Sequence, residues 1–298
     1  METTEEVDKK HEEDLERLRN FRLFDDDFMT ACLDNNLPCT ELILRILLNQ
    51  PDLQVSDVHT QVFVENLLNR SVRLDVLATD PTGKKYNIEI QREDRGAGRK
   101  RARYNSSMID ARLLEKGEDF DALPETYVIF ITENDVMGNG QALYQIERCV
   151  LGSGERFGDG THILYVNGKH QDSTPIGKLM HDFSCKNPAD MNYELLAERV
   201  RFFKERKEGV LIMCKAMEDM RNQSLREGLE IGRKEGRQEG IKEGIEKGIE
   251  KGIEKGIHRE RSAVALRMLE MGKYTIDEIS ALSELSVEEV KGLRDIKH

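Results

Sequence analysis

The sequence predicts an α/β protein: an αβββαβ core, a long glycine-tetrad tail that is helical or flexible, and a small C-terminal helical module. Three observations carry this. From residue 21 to about 205, apolar runs are broken by Gly, Pro and Asn, the texture of a packed globular domain. Beyond it, Gly228, Gly232, Gly236, Gly240, Gly244, Gly248, Gly252 and Gly256 recur every four residues, a true internal repeat. After residue 260 short amphipathic helical patterns return. These shifts divide the chain into a charged arm at 1–20, a globular domain at 21–205, a repeat helix or linker at 206–260 and a helical module at 261–298.

Composition narrows the function classes. A chain of 298 residues suggests about two domains. Charged residues make up 34% and aromatics 6%, with no Trp, so part of the chain is solvated and coreless. Lys plus Arg total 45 against 57 Asp plus Glu, a net charge of −12, which repels phosphate over most of the surface. Any nucleic-acid contact must therefore be local. The five cysteines, Cys32, Cys39, Cys149, Cys185 and Cys214, form no C-x-x-C pair. That argues against a Cys zinc site and a disulfide framework, and a reducing, cytoplasmic setting is expected. No run approaches the ~18 apolar residues of a membrane span, so no membrane partner is expected.

Taken in order, residues 1–20 are almost all polar and read as a frayed arm. Residues 40–48 space Leu and Ile as a buried helix does, with Thr40 as its expected N-cap. Strands are expected at 55–64, 70–79, 85–91, 126–132 and 162–166 from β-branched content and flanking turn residues. A helix at 98–115, basic in its first turns, separates the third and fourth strands, with Gly117 expected at its C′ position. The Gly-Ile stripe of the tetrads drifts about 40° per repeat, which implies a right-handed superhelix if helices pair along it. Alone, with each glycine costing about 1 kcal/mol relative to Ala, the segment reads as a flexible linker. The last module reads as three short helices, stopped first at Gly272 and capped later by a Ser286–Glu289 box.

The turn Asp80-Pro81-Thr82-Gly83-Lys84 sets a register. Pro suits the second position of a type I turn and Gly the following left-handed position, giving a three-residue hairpin loop with Asp80 facing Lys84. That register sets Asp75 opposite Glu89 and Arg73 opposite Gln91 on one face, with Leu74, Val76, Ala78, Tyr86, Ile88 and Ile90 on the buried other. Two opposed carboxylates about 5 Å apart repel unless a cation or shared proton lies between them. Hard oxygen ligands on strands suit Mg²⁺, which activates a bound water for phosphodiester hydrolysis. A solvated face, with Arg73 and lysines neutralising the acids, is the bland alternative.

Asp75, thirteen intervening residues and then Glu89-x-Gln91 at the end of an apolar strand resemble the PD-(D/E)XK nuclease superfamily. The runs RSVRLDVLATD, YNIEIQRE, KRARYNSSMID, TYVIFIT and ILYVNG resemble its recombination-promoting nuclease group, also described as PD-(D/E)XK nuclease family transposases, over about residues 21–205. The resemblance implies a restriction-endonuclease-like core and a Mg²⁺-dependent endodeoxyribonuclease linked to recombination or mobile elements, in which Mn²⁺ substitutes for Mg²⁺. It implies Asp75, Glu89 and Gln91 as catalytic residues and Asp75 and Glu89 as metal ligands, with Glu41 matching the place of an additional acid on the first helix. Gln91 departs from the superfamily's usual Lys, and its amide supplies no positive charge.

Arg99, Lys100, Arg101 and Arg103, preceded by Arg92 and Arg95, form the local basic patch, with Tyr104 available for stacking or a phosphate contact, so DNA is the expected partner. The same run also reads as a solvated helix end. The glycine-rich segment 152–160 lacks the ending of a phosphate loop, and His162, His170 and His181 lack zinc-ligand spacing. Between 273 and 298 there are four Lys or Arg against six Asp or Glu. That charge favours homo-oligomer formation through the tail over DNA reading. The competing class is a catalytically weak or inactive DNA-binding or scaffold protein that self-associates through its repeats. RNA as substrate also stays open.

Overall fold

The structure is a computed structural model describing residues 4–65, 70–92, 94–114 and 116–295. It divides into two compact units, Met1–Asp219 and Met220–His298. The first begins with three helices: α1 (Thr4–Asn20), α2 (Asp26–Leu33) and α3 (Leu37–Leu48). The expected frayed arm is therefore helical, and Leu18 is fully buried. α2 was not legible as a helix because only eight residues and one buried stripe, Phe28, Met29, Cys32 and Leu33, carry it. α3 starts earlier than its periodicity suggests. Asn36, not Thr40, caps it by accepting from Cys39 N, with Pro38 in the first turn, and Thr40 Oγ1 donates back to Asn36 O.

The strands β1 (Asp57–Val64), β2 (Val72–Thr79) and β3 (Lys85–Gln91) form an antiparallel meander. A short 3-10 turn at Asp94–Ala97 leads into α4 (Arg99–Leu113), followed by β4 (Thr126–Thr132), β5 (Leu143–Ile146) and β6 (Thr161–Asn167). The six strands make one mixed sheet in the order β1-β2-β3-β4-β6-β5, with β3, β4 and β6 parallel. β4 is buried at every position, as expected of a parallel strand covered on both faces. The expected C′ role of Gly117 is corrected: α4 ends at Leu113 with Leu114 as its cap, and Glu115 lies outside the described residues. α5 (Pro175–Ser184) and α6 (Glu194–Glu205) complete the layer that holds Phe24, Phe28, Phe183 and Phe203 in edge-to-face contact.

α7 (Lys207–Met271) carries the glycine tetrads as helix. It ends at Gly272 in the left-handed conformation (φ +63°). α8 (Ile276–Ser283) has a capping box between Thr275 and Glu278, and α9 (Val287–Asp295) has the expected one between Ser286 and Glu289. The second unit has its own small core, Ala265, Met268, Ile279, Leu285 and Val290.

Candidate active site

The hairpin turn follows the expected geometry. Asp80 N donates to Lys84 O at 3.1 Å, Gly83 N donates to Asp80 O, and Gly83 takes φ +92°. The Asp80 carboxylate accepts from Thr82 N, Thr82 Oγ1, Lys84 N and Tyr86 Oη, and these bonds hold it below the usual carboxylate range. The ladder pairs Thr79 with Lys85, Ala78 with Tyr86, Leu77 with Asn87 and Val76 with Ile88, the predicted register.

Beyond Val76 the two strands part. Continued pairing would give the Ile90 N–H to the Leu74 carbonyl. Instead it donates to Asp75 Oδ2 at 3.0 Å, and the Asp75 N–H in turn donates to the Glu89 carboxylate. Leu74 and Leu77, three residues apart, both pack into the cluster under α4, so the two-residue alternation of β2 breaks between them. Gln61 on β1, level with this break, takes φ +52°. The expectation that Leu74 shares a face with Val76 is thereby corrected. Asp75 and Glu89 meet at a fork in the sheet, where the Asp75 carboxylate takes the Ile90 N–H and the Glu89 carboxylate takes the Asp75 N–H, rather than as a ladder pair.

Both acids are enclosed, Asp75 at 6% exposure and Glu89 at 0%. Burial, then the charge of Glu89, then that of Asp26, pushes the Asp75 carboxyl up to about 8. Burial likewise raises Glu89, against the pull of Arg101, the Asn87 amide and the Asp75 N–H. Asp26, at the start of α2, is raised by partial desolvation and then by Asp27, and pulled down by the Thr30 hydroxyl and then by Arg73 and Arg101. The sequence reading missed Asp26. Only its acidic Asp25-Asp26-Asp27 run at a helix start hinted at it. Glu41 is engaged by other partners: it pairs with Arg45 at 3.1 Å and accepts the Val55 N–H at 2.9 Å.

Arg101 is the cation common to the three acids. Its Nη2 donates to Glu89 Oε2 at 2.8 Å, and its Nη1 donates to Gly96 O at 3.1 Å and reaches Gln91 Oε1 at 3.5 Å. The register of β3 with β4 explains its reach: Glu89 lies beside Phe130, which belongs to the cluster that α4 covers. A Cβ at Gly96 would lie 1.6 Å from Gln91 Oε1, so a larger residue there would displace the Gln91 amide. Asn87 Nδ2 donates to Glu89 Oε1 at 3.0 Å.

The remaining basic residues divide. Lys100, Arg101, Arg103 and Tyr104 line a groove of 1030 Å³ together with Phe63, Arg70 and Arg73, and among the described residues no acid lines it. Arg70 and Arg73 lie 26 or more residues before the basic helix, so a search for charge runs does not group them. Arg99 instead reaches Met137 Sδ, and Arg92 pairs with Asp25 and Glu133. The side chain of Arg95 lies outside the described residues. The Tyr104 hydroxyl donates to Arg70 O, and its ring packs against the cluster under α4.

Elsewhere, His181, Asp182 and Cys185 approach within metal-binding range of one another, but both Asp182 oxygens already accept N–H groups from Asn192 and Tyr193. Among the described residues no helix is long and apolar enough to cross a membrane. No curated protein and no solved structure matches this chain. One family model does, described as PD-(D/E)XK nuclease family transposase, over residues 42–175, a span that contains Asp75, Glu89, Gln91 and Arg101. That family suggests a nuclease or transposase-related function, and its nucleases typically depend on a divalent metal. With a mixed α/β sheet consistent with that fold, residues 42–175 match the PD-(D/E)XK nuclease family transposase model.

Proposed function

We propose that this chain is an endonuclease that hydrolyses DNA phosphodiester bonds with Mg²⁺, or Mn²⁺ in its place, in recombination or the movement of mobile elements. The observation that carries this reading is the fork of β2 and β3, where two buried carboxylates share one arginine at the edge of a groove lined by cations. Two desolvated hard oxygen donors, with the charge of Glu89 strengthening the Asp75 carboxyl's hold on a proton, fit a divalent cation better than they fit an empty core. Asp75 and Glu89 would hold it, with Asp26 in the part first given to Glu41. When bound, the ion would make a water more acidic and offset phosphate charge.

The protein's own groups do the rest. Arg70, Arg73, Lys100 and Arg103 neutralise phosphates flanking the cut and fix the duplex in the groove. Gln91 orients a water through its amide. Arg101 supplies the fixed positive charge that Gln91 lacks, and its planar guanidinium suits a phosphate as well as a carboxylate. A plasmid-nicking assay with Mg²⁺ tests the reading. Asp75→Ala and Glu89→Ala should abolish cutting while circular dichroism remains that of the native chain. Cutting that survives in both variants refutes the site, and binding without cutting by the native chain favours the scaffold reading.

A further inference from the structure

Residues 240–257 of α7 repeat Gly-Ile followed by two charged residues, and the helix leaves both apolar rows open. Ile241, Ile245, Ile249, Ile253 and Ile257 are 45–58% exposed, and a Cβ built on any glycine from Gly228 to Gly256 would meet nothing within 4 Å. A row spaced by four is a ridge where it bears Ile and a groove where it bears Gly. Packing such ridges into such grooves is the commonest class of helix crossing, at about −50°. Glycine also lets the axes approach toward the lower end of the roughly 8–10 Å range. Eight interior glycines cost a lone helix about 1 kcal/mol each relative to alanine, so an unpaired α7 is poorly supported.

The charges identify the occupant. The row preceding each glycine runs Glu235, Glu239, Glu243 and then Lys247, Lys251, Lys255. The row following each isoleucine runs Lys242 and then Glu246, Glu250, Glu254, and continues back through Gln238 to Lys234. Both rows change sign at the same height, around Gly244 and Ile245. In a parallel pair each row faces the other row, so opposite signs suffice and a reversal is superfluous. In an antiparallel pair each row faces its own reverse, and only a mid-point reversal makes it self-complementary. We infer that α7 pairs antiparallel with a second copy of this chain about a two-fold axis between Gly244 and Ile245. That axis sets Ile245 over the partner's Gly244, Ile249 over the partner's Gly240 and Ile241 over the partner's Gly248. It also sets Glu243 against the partner's Lys247 and Lys242 against the partner's Glu246. A two-fold contact of this kind is isologous, so the assembly closes as a dimer.

Sedimentation equilibrium of the full chain tests the pairing. A concentration-dependent dimer is expected, and a chain that stays monomeric at about 100 μM overturns the inference. Ile241→Ser, Ile245→Ser and Ile249→Ser together should weaken dimerisation by more than about tenfold. Gly240→Ala, Gly244→Ala and Gly248→Ala should raise helix content by circular dichroism and yet weaken dimerisation, because the grooves are filled. If these alanine variants dimerise as tightly as the native chain, close approach is not the contact. The orientation is read separately. Lys247→Glu alone should weaken the dimer, and the double variant Glu243→Lys/Lys247→Glu should restore it, since the antiparallel pair is merely reversed. In a parallel pair the same double change sets like charges against the partner's Lys242 and Glu246, so a double variant weaker than the single overturns the antiparallel assignment.

Discussion

Glu89 and Glu243 are both glutamates paired with a cation on the same chain, at 2.8 Å from Arg101 and 3.2 Å from Lys247. Glu89 is fully enclosed, and its partner comes from another element. Glu243 is two-thirds exposed, and its partner lies one turn along the same helix. The difference in surroundings decides what each pair is worth. An exposed pair at this spacing contributes only a few tenths of a kcal/mol and is screened by salt. An enclosed carboxylate that loses its partner is left as an uncompensated charge. The first unit holds its acids by tertiary structure, and so can impose an unusual protonation on them. Within one chain, the Glu243 pair of the repeat helix rests on a neighbour one turn away.

The largest effect that would sharpen this contrast is on chemistry. Removing Asp75 or Glu89 should lower plasmid cleavage by more than the about 10–100-fold that loss of a ligand's supporting partner costs. Next, Arg101→Ala should destabilise the protein by about 1–3 kcal/mol in urea unfolding, the cost of a buried group left unsatisfied, moderated because Arg101 is itself 41% exposed. A value near zero would break the comparison by making the enclosed pair no different from an exposed one. The third effect is a pH dependence. The folded Asp75 carboxyl titrates at about 8, above the ordinary value of about 3.9, so the folded chain keeps a proton that the unfolded chain releases. Stability from this group is therefore present below about pH 4 and is lost as pH rises to about 8. The melting temperature of the metal-free protein should fall between pH 5 and about pH 8.5, and Asp75→Asn should flatten that fall. Smallest of all, Lys247→Ala in the repeat should change monomer stability by about 0.5 kcal/mol or less, and added salt should erase the difference.

What could be read from the sequence follows the same division. The hairpin was legible because its turn chemistry is local: Pro81 and Gly83 fix the loop, and the loop fixes which residues of β2 and β3 meet. The strands 85–91 and 126–132 were legible because their bounding residues are equally local. The fork was not, since it depends on Asp75 replacing a backbone carbonyl as acceptor, a choice made between strands rather than within one. Asp26 and Arg101 escaped a pairwise reading for a similar reason. They lie 49 residues before and 26 residues after Asp75, and only the packing of α2 and α4 around β2 and β3 lets them act on it. The short α2 and the four-residue β5 carry too few periodic positions to stand out from the segments around them.

The Asp80 carboxylate gathers four donors into a loop of three residues, and everything downstream on β3 is indexed from that knot. Because strand side chains alternate, inserting one residue between Asp80 and Lys84 would turn Glu89 away from Asp75 and set Ile88 or Ile90 in its stead. An indel there would therefore part the two carboxylates while leaving both acids in the gene. The spacing of the acids, more than their identity, is what selection on this hairpin has to guard.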